Sequence, residues 1–71
     1  LVETAVGKTR DVAGTLKGLE GIQSVDVVTG PYDIIAVISG VDMTVVGDLV
    51  TVHIHTVPGV VRTVTCVAVG S

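Results

Sequence analysis

Aromatic residues are almost absent from this sequence of 71 residues, which has no Trp, no Phe and a single Tyr. Proteins that bind single-stranded nucleic acid stack the bases on aromatic side chains, so that platform is missing here. Basic residues are also scarce, since the only four are Lys8, Arg10, Lys17 and Arg62, and the formal net charge is −3. Because Lys and Arg supply most of the affinity for phosphate, we expect no direct binding of nucleic acid.

Cysteine occurs only once, at Cys66, which excludes an intrachain disulfide. Its position among strand-forming residues predicts a small buried side chain rather than a nucleophile. A chain without disulfides suits a reducing compartment, so we expect a cytoplasmic protein. No apolar run reaches the roughly 18 residues of a membrane helix, and the first residues do not resemble a secretory signal. We therefore expect no membrane partner.

Apolar residues are abundant for so small a chain. Hydrophobic residues make up 48% of the sequence, charged residues only 15%, and the mean hydropathy is +0.80. A domain of this size buries only about 60% of the surface that its unfolded chain exposes. The length predicts one domain over residues 1–71, and the apolar excess predicts that this domain associates with copies of itself.

The spacing of apolar residues predicts six elements in the order strand, helix, strand, strand, helix, strand. They are strands at Leu1 to Val6, Gln23 to Thr29, Ile34 to Ile38 and Val60 to Val69, and helices at Arg10 to Leu19 and from Asp42 to Val57. Thr9 and Asp42 are the expected N-caps. This order is the ferredoxin-like α+β arrangement, in which two helices cover one face of a four-stranded antiparallel sheet. The other face has no cover within the chain, which favours a dimer that packs sheet to sheet.

The turn between the two middle strands has an unusual composition. Gly30 can adopt a positive φ, Pro31 fixes the next φ, and Tyr32 is the only aromatic residue of the chain. Backbone N–H groups left free in such a turn could receive a carboxylate, and Asp33 could receive an ammonium group. Together they would suit a zwitterion such as a free amino acid. The alternative is an ordinary hairpin turn in which Tyr32 packs over its own sheet.

Two other groups of polar residues are candidate ligands. Thr63 and Thr65 alternate along the last strand, where their hydroxyls could contact a ligand, although Thr is also simply a good strand former. His53 and His55 are two residues apart, so on a helix they point to different sides and cannot chelate one ion together. We therefore predict neither a metal nor a cofactor.

Three segments have a spacing that is specific when they are taken together. They are Val27-Val28-Thr29-Gly30-Pro31-Tyr32-Asp33, then Val41-Asp42-Met43, then Val57-Pro58-Gly59-Val60-Val61-Arg62-Thr63-Val64-Thr65. They resemble the effector domain of the Lrp/AsnC, or feast/famine, regulators, which is called RAM for regulation of amino-acid metabolism. The likeness runs from about Val6 to Val69.

This resemblance implies a ferredoxin-like fold, sheet-to-sheet dimers and rings of dimers, often octamers or decamers. It also implies that a small effector, usually an amino acid, binds between dimers. The predicted effector-binding residues are those of the turn and the last strand: Thr29, Gly30, Pro31, Tyr32, Asp33, Thr63 and Thr65.

The 71 residues leave no room for the helix-turn-helix of the full-length regulators, so the sequence resembles a stand-alone or excised RAM domain. The expected partners are further copies of the chain, an amino-acid effector and a full-length Lrp/AsnC-type regulator. Two alternatives stay open at this point. One is a small cofactor-free dimeric barrel enzyme that uses Tyr32, His53 or His55 as acid or base. The other is a structural adaptor without a ligand.

Overall fold

The computed structural model describes residues 1–38 and 42–67, and of Met43 only the backbone. In chain order the elements are β1 (Val2–Thr4), α1 (Thr9–Lys17), β2 (Ile22–Val27), β3 (Ile34–Ile38), α2 (Met43–Asp48), a π-helical segment (Leu49–Ile54) and β4 (Val60–Thr63). The predicted order is therefore confirmed, with the second helix divided into an α-helical and a π-helical part.

The four strands form one antiparallel sheet in the order β2-β3-β1-β4. Strand β1 lies in the middle, where Val2 is opposite both Ile34 of β3 and Thr63 of β4. This strand order and two helices are the ferredoxin-like α+β fold, as the sequence predicts.

Helix α1 packs on the sheet through Val12, Ala13 and Leu16, which are all buried. Their spacing of one, three and four residues places them on one side of the helix. The prediction that Thr9 caps this helix is wrong. Thr9 lies in the first turn, and its hydroxyl is 2.7 Å from the hydroxyl of Thr4. Lys8 holds the N-cap position without a capping hydrogen bond from its side chain.

Helix α2 begins as predicted, because Asp42 Oδ1 accepts a hydrogen bond of 2.9 Å from the N–H of Val45. After Asp48 the helix widens into its π-helical segment. Four of the six residues of this segment are β-branched, and such residues crowd the preceding turn of an α-helix. Its apolar side still reaches the core, since Leu49 and Ile54 are buried there, as is Val57 just beyond the segment.

The first and last strands are shorter than predicted. The chain leaves β1 after Thr4, and Gly7 with φ +79° turns it toward α1. Strand β4 ends at Thr63, and residues 64–67 have no regular structure. The predicted continuation of this strand over residues 68 and 69 lies outside the described residues. The same is true of Val41, which belongs to the segments that resemble the Lrp/AsnC family. The predicted burial of Cys66 is also wrong, since its side chain is exposed in this irregular segment.

The two faces of the sheet differ in their cover. Ile34 is fully buried under the helices, whereas its neighbours on the opposite face of β3, Ile35 and Val37, are 39% and 44% exposed. We call this second side the open face of the sheet. As predicted, nothing in the described part of the chain covers it.

Two glycines provide a matched test of the fold. Gly59 has φ +100°, and a Cβ there would stand 2.9 Å from Lys8 Cβ and 3.0 Å from Val12 Cγ2. Gly14 lies in α1, and a Cβ there would have nothing within 4 Å. We expect Gly59→Ala to lower the free energy of unfolding by at least about 1 kcal/mol and Gly14→Ala to raise it by about 0.5–1 kcal/mol.

Urea unfolding at one fixed protein concentration measures both variants. A Gly59→Ala variant as stable as the unmodified protein would contradict the observed packing of this residue against α1.

Candidate functional site

The turn of residues 29–33 closes the hairpin between β2 and β3. The N–H of Val28 donates to the carbonyl of Asp33 at 2.8 Å, and the N–H of Asp33 donates to the carbonyl of Val2 at 2.9 Å. Gly30 has φ +139°, which a residue with a side chain rarely adopts. The hydrogen bonds among the described residues leave the amide groups of Gly30 and Tyr32 without an acceptor. The amide of Thr29 also has no acceptor among these residues, so three free donors lie in the turn, as its composition predicts.

Asp33 has a structural task in this turn. Its Oδ2 accepts a hydrogen bond of 2.8 Å from the backbone N–H of Thr4, where β1 ends. Together with the backbone bond from Asp33 to Val2, this fixes the start of β3 against β1. One oxygen of the carboxylate is thus occupied by the fold, which leaves a single oxygen for a ligand.

Tyr32 packs over its own sheet, as the alternative of an ordinary hairpin turn describes, and reaches across β1 to Arg62 of β4. The Arg62 guanidinium donates from Nη2 to the hydroxyl of Tyr32, and its Cζ lies 5.5 Å from the centroid of the ring. Arg62 is opposite Glu3 in the sheet. The hydrogen bond to Tyr32 is the largest of the influences that raise the pKa of Arg62 above its usual value, and the charge of Glu3 acts in the same direction.

Arg62 is the one residue of this arrangement that sequence reasoning missed as a site residue. In the sequence it stands out only as one of the scattered basic residues. A signal was present, since Arg62 interrupts a strand of Val and Thr residues, and a charged side chain in such a strand points away from the core. Its contact with Tyr32 joins residues 30 positions apart, which no local pattern reveals.

The two threonines lie elsewhere. Thr63 is opposite the buried Val2, so it faces the helices, and its Oγ1 is 2.7 Å from Nε2 of His55. Arg62 precedes it in the strand and therefore points to the open face. Thr65 follows in the irregular segment and is exposed. Within one chain the structure therefore does not bring Thr63 to the same face as the pair of Tyr32 and Arg62.

Thr63 and Thr65 line a groove of about 650 Å³ on the helix side of the sheet. Val46, Val50 and Ile54 of the second helix form its apolar wall. The last residues of β3 and residues 64–67 line the rest of this groove.

The imidazole of His53 lines a second, wide-open groove of about 380 Å³ together with Glu20 and Asp48. Such a set could move a proton, but Tyr32 and Cys66 do not line this groove. The described residues contain no group of three or more His, Cys, Asp or Glu side chains that could hold a metal ion. Within the same residues, every helix is too short or too polar to cross a bilayer.

The fold defines a class of protein, a small α+β domain with a four-stranded antiparallel sheet and two helices. The model of the Lrp/AsnC ligand binding domain matches residues 1–71, so the chain belongs to this family. Among curated proteins, no significant match to the chain was found.

Three solved structures are similar to the chain at 28–30% sequence identity. A protein from Thermus thermophilus, TTHA0845, has 30% identity and a TM-score of 0.94, with 100% of this chain and 89% of that one covered. FFRP-DM1 has 29% identity and a TM-score of 0.90, with 97% and 92% covered. The hypothetical protein PHS023 from Pyrococcus horikoshii has 28% identity and a TM-score of 0.89, with 100% and 86% covered. These three chains are therefore little longer than the domain itself.

The structural task of Asp33 is testable by comparing two substitutions. Asp33→Ala leaves the N–H of Thr4 without its acceptor, and we expect it to lower the free energy of unfolding by about 1–3 kcal/mol. Asp33→Asn keeps an oxygen acceptor and should lower the free energy of unfolding clearly less. Amide hydrogen exchange at Thr4, which should be faster in Asp33→Ala, measures the effect at the bond itself.

Asp26→Ala is the control, because Asp26 is an exposed carboxylate of the adjacent strand β2. Equal stability of Asp33→Ala and Asp26→Ala would show that the Asp33 carboxylate contributes nothing to the fold.

Proposed function

We propose that this domain is an oligomeric amino-acid sensor that takes part in the transcriptional regulation of amino-acid metabolism. It binds a small amino acid or a related effector between dimers, through the residues predicted from the sequence. The observation that supports this most directly is the turn of residues 29–33, which offers the free amide groups of Gly30 and Tyr32 at the end of the sheet. Membership of a ligand-binding domain family supports the same function.

The open face of the sheet provides the surface for a dimer. Ile35 and Val37 are its exposed centre, and burial of apolar surface contributes about 25 cal/mol for each Å². Two copies that pack face to face would cover both surfaces at once. The turn directly precedes the first residue of β3, and the pair of Tyr32 and Arg62 lies beside it. Both therefore reach the rim of such a dimer.

By family resemblance, the dimers assemble into rings that are octamers or decamers. In such a ring the turn of one dimer lies against a neighbouring dimer. This supplies the ligand contacts that one chain lacks, since Thr63 faces the helices and Tyr32 the open face. The formal net charge of −3 disfavours direct binding to DNA. A full-length Lrp/AsnC-type regulator in the cytoplasm would therefore be the partner that contacts DNA.

The effector role is tested by titrating each of the twenty amino acids into the protein at millimolar concentrations. We expect heat in isothermal calorimetry, and a rise in Tm, for one amino acid or a few related ones. An effector can shift assembly only if it binds two assembly states unequally. Light scattering with and without the binding amino acid should therefore show a change in molar mass.

Tyr32→Ala tests the turn itself and should abolish the heat while the fold, followed by circular dichroism, is kept. Absence of heat and of a Tm shift for all twenty amino acids would refute the sensor and leave the structural adaptor. The enzyme alternative has only the open groove at His53 in its favour.

The dimer surface is tested by Val37→Lys, which places a charge in the centre of the open face. Burial of an unpaired charge is strongly unfavourable, so we expect the molar mass to fall toward that of a single chain. Val52→Lys is the matched control, since Val52 is 55% exposed on the second helix. If Val37→Lys and Val52→Lys have the same mass as the unmodified protein, the open face is not the dimer surface.

A further inference from the structure

Arg62 is the only basic side chain on the sheet. The other three, Lys8, Arg10 and Lys17, lie in α1 or directly before it. Other charged side chains of the open face are negative: Glu3 is opposite Arg62 in β1, and Asp26 lies on β2 at the far edge of the sheet. An anion that approaches this face therefore meets one positive group, and that group stands at the turn.

The guanidinium is held in place but its donors are not used up. Its Nη2 donates to the hydroxyl of Tyr32, and the group lies 5.5 Å from the centroid of the same ring. This is the one hydrogen bond that the guanidinium makes among the described residues. A guanidinium has five N–H donors in a planar fork, so enough remain for two parallel bonds to a carboxylate.

The groups predicted to bind an ammonium are more heavily engaged. Asp33 gives one carboxylate oxygen to the N–H of Thr4, and the Thr63 hydroxyl is paired with His55 on the helix side. The turn thus offers the fixed guanidinium of Arg62 and free amide donors, which all favour binding of an anion. Only one carboxylate oxygen, that of Asp33, is left to bind a cation.

We propose that Arg62, held by Tyr32, binds the carboxylate of the effector and makes this site selective for carboxylic acids rather than for amino groups. This rests on the proposed function and deepens it, since it names the group by which the effector is recognised. The turn amides of Gly30 and Tyr32 are the additional donors to the same carboxylate. Tyr32 is a positioning residue, because its hydroxyl and ring fix the guanidinium beside the turn.

The ligand class follows from this assignment. An amino acid whose carboxylate is converted to an amide loses its charge-assisted bonds to Arg62 and should bind about tenfold to a hundredfold more weakly. The corresponding 2-oxo acid keeps the carboxylate and lacks the ammonium group, and it should bind within about tenfold of the amino acid. A site that recognised the ammonium group through Asp33 would show the reverse order.

Tyrosine fluorescence provides a direct readout, because Tyr32 is the only aromatic residue of the chain. The probes are leucine, leucinamide and 4-methyl-2-oxopentanoate, followed by the same three forms of any other amino acid that gives heat. We expect the two acids, and not the amide, to change the emission of Tyr32 with a saturable dependence on concentration.

Four variants separate the possible outcomes. Arg62→Gln should weaken both acids by about tenfold to a hundredfold and abolish the difference between acid and amide. Arg62→Lys keeps the charge without the fork, and it should retain part of that difference. Arg10→Gln makes the same chemical change on exposed α1 and should bind as the unmodified protein does. Tyr32→Phe, which removes only the hydroxyl, should reduce the ratio of acid to amide affinity.

If the amino acid binds and Arg62→Gln binds it equally well, the carboxylate role is overturned while the sensor function stands. The same holds if the amide binds as tightly as the acid. If neither amino acids nor 2-oxo acids bind the unmodified protein, both proposals fail. Unfolding in urea shows whether Arg62→Gln is folded. If it is not, the proposal is tested by Arg62→Lys and by the ratio of acid affinity to amide affinity in the unmodified protein.

Discussion

The whole sheet depends on the short central strand β1. Its residue Val2 is opposite both β3 and β4, and it is buried against the helices. The Asp33 carboxylate and backbone bind the same strand at Thr4 and Val2. Because these bonds join the start of β3 to β1, the turn that precedes β3 is fixed to the centre of the sheet. A change in the turn therefore acts on the strand that holds the two halves of the fold together.

Alternation along β4 explains why the candidate site cannot be completed within one chain. Arg62 points to the open face and meets Tyr32, whereas Thr63 points to the helices and meets His55. The two groups of predicted residues are thus separated by the sheet itself. The same alternation along the strands leaves Ile35 and Val37 uncovered on the open face. Alternation therefore explains both why the sheet needs a partner to cover it and why the predicted site residues lie on two faces.

Much of the fold follows from local patterns. The bounds of β3 and the capping by Asp42 agree with the sequence, because apolar runs and caps depend on neighbouring residues. The predicted cap at Thr9, the burial of Cys66 and the length of β4 were wrong. The exposure of Cys66 and the length of β4 depend on strand pairing with a distant part of the chain, whereas the Thr9 hydroxyl contacts that of Thr4, a near neighbour in sequence. For the candidate site, the composition of the sequence located the turn but did not reveal Arg62.

The sequence by itself determined the order of elements, the excess of apolar surface and the place of the only aromatic residue. These depend on residue spacing and composition, which need no partner. The tertiary structure decided which groups in the turn are free. It assigned one oxygen of Asp33 to Thr4, joined Tyr32 to Arg62 and turned Thr63 away from both. These results depend on strand register, since it is the register that places residues about 30 positions apart side by side.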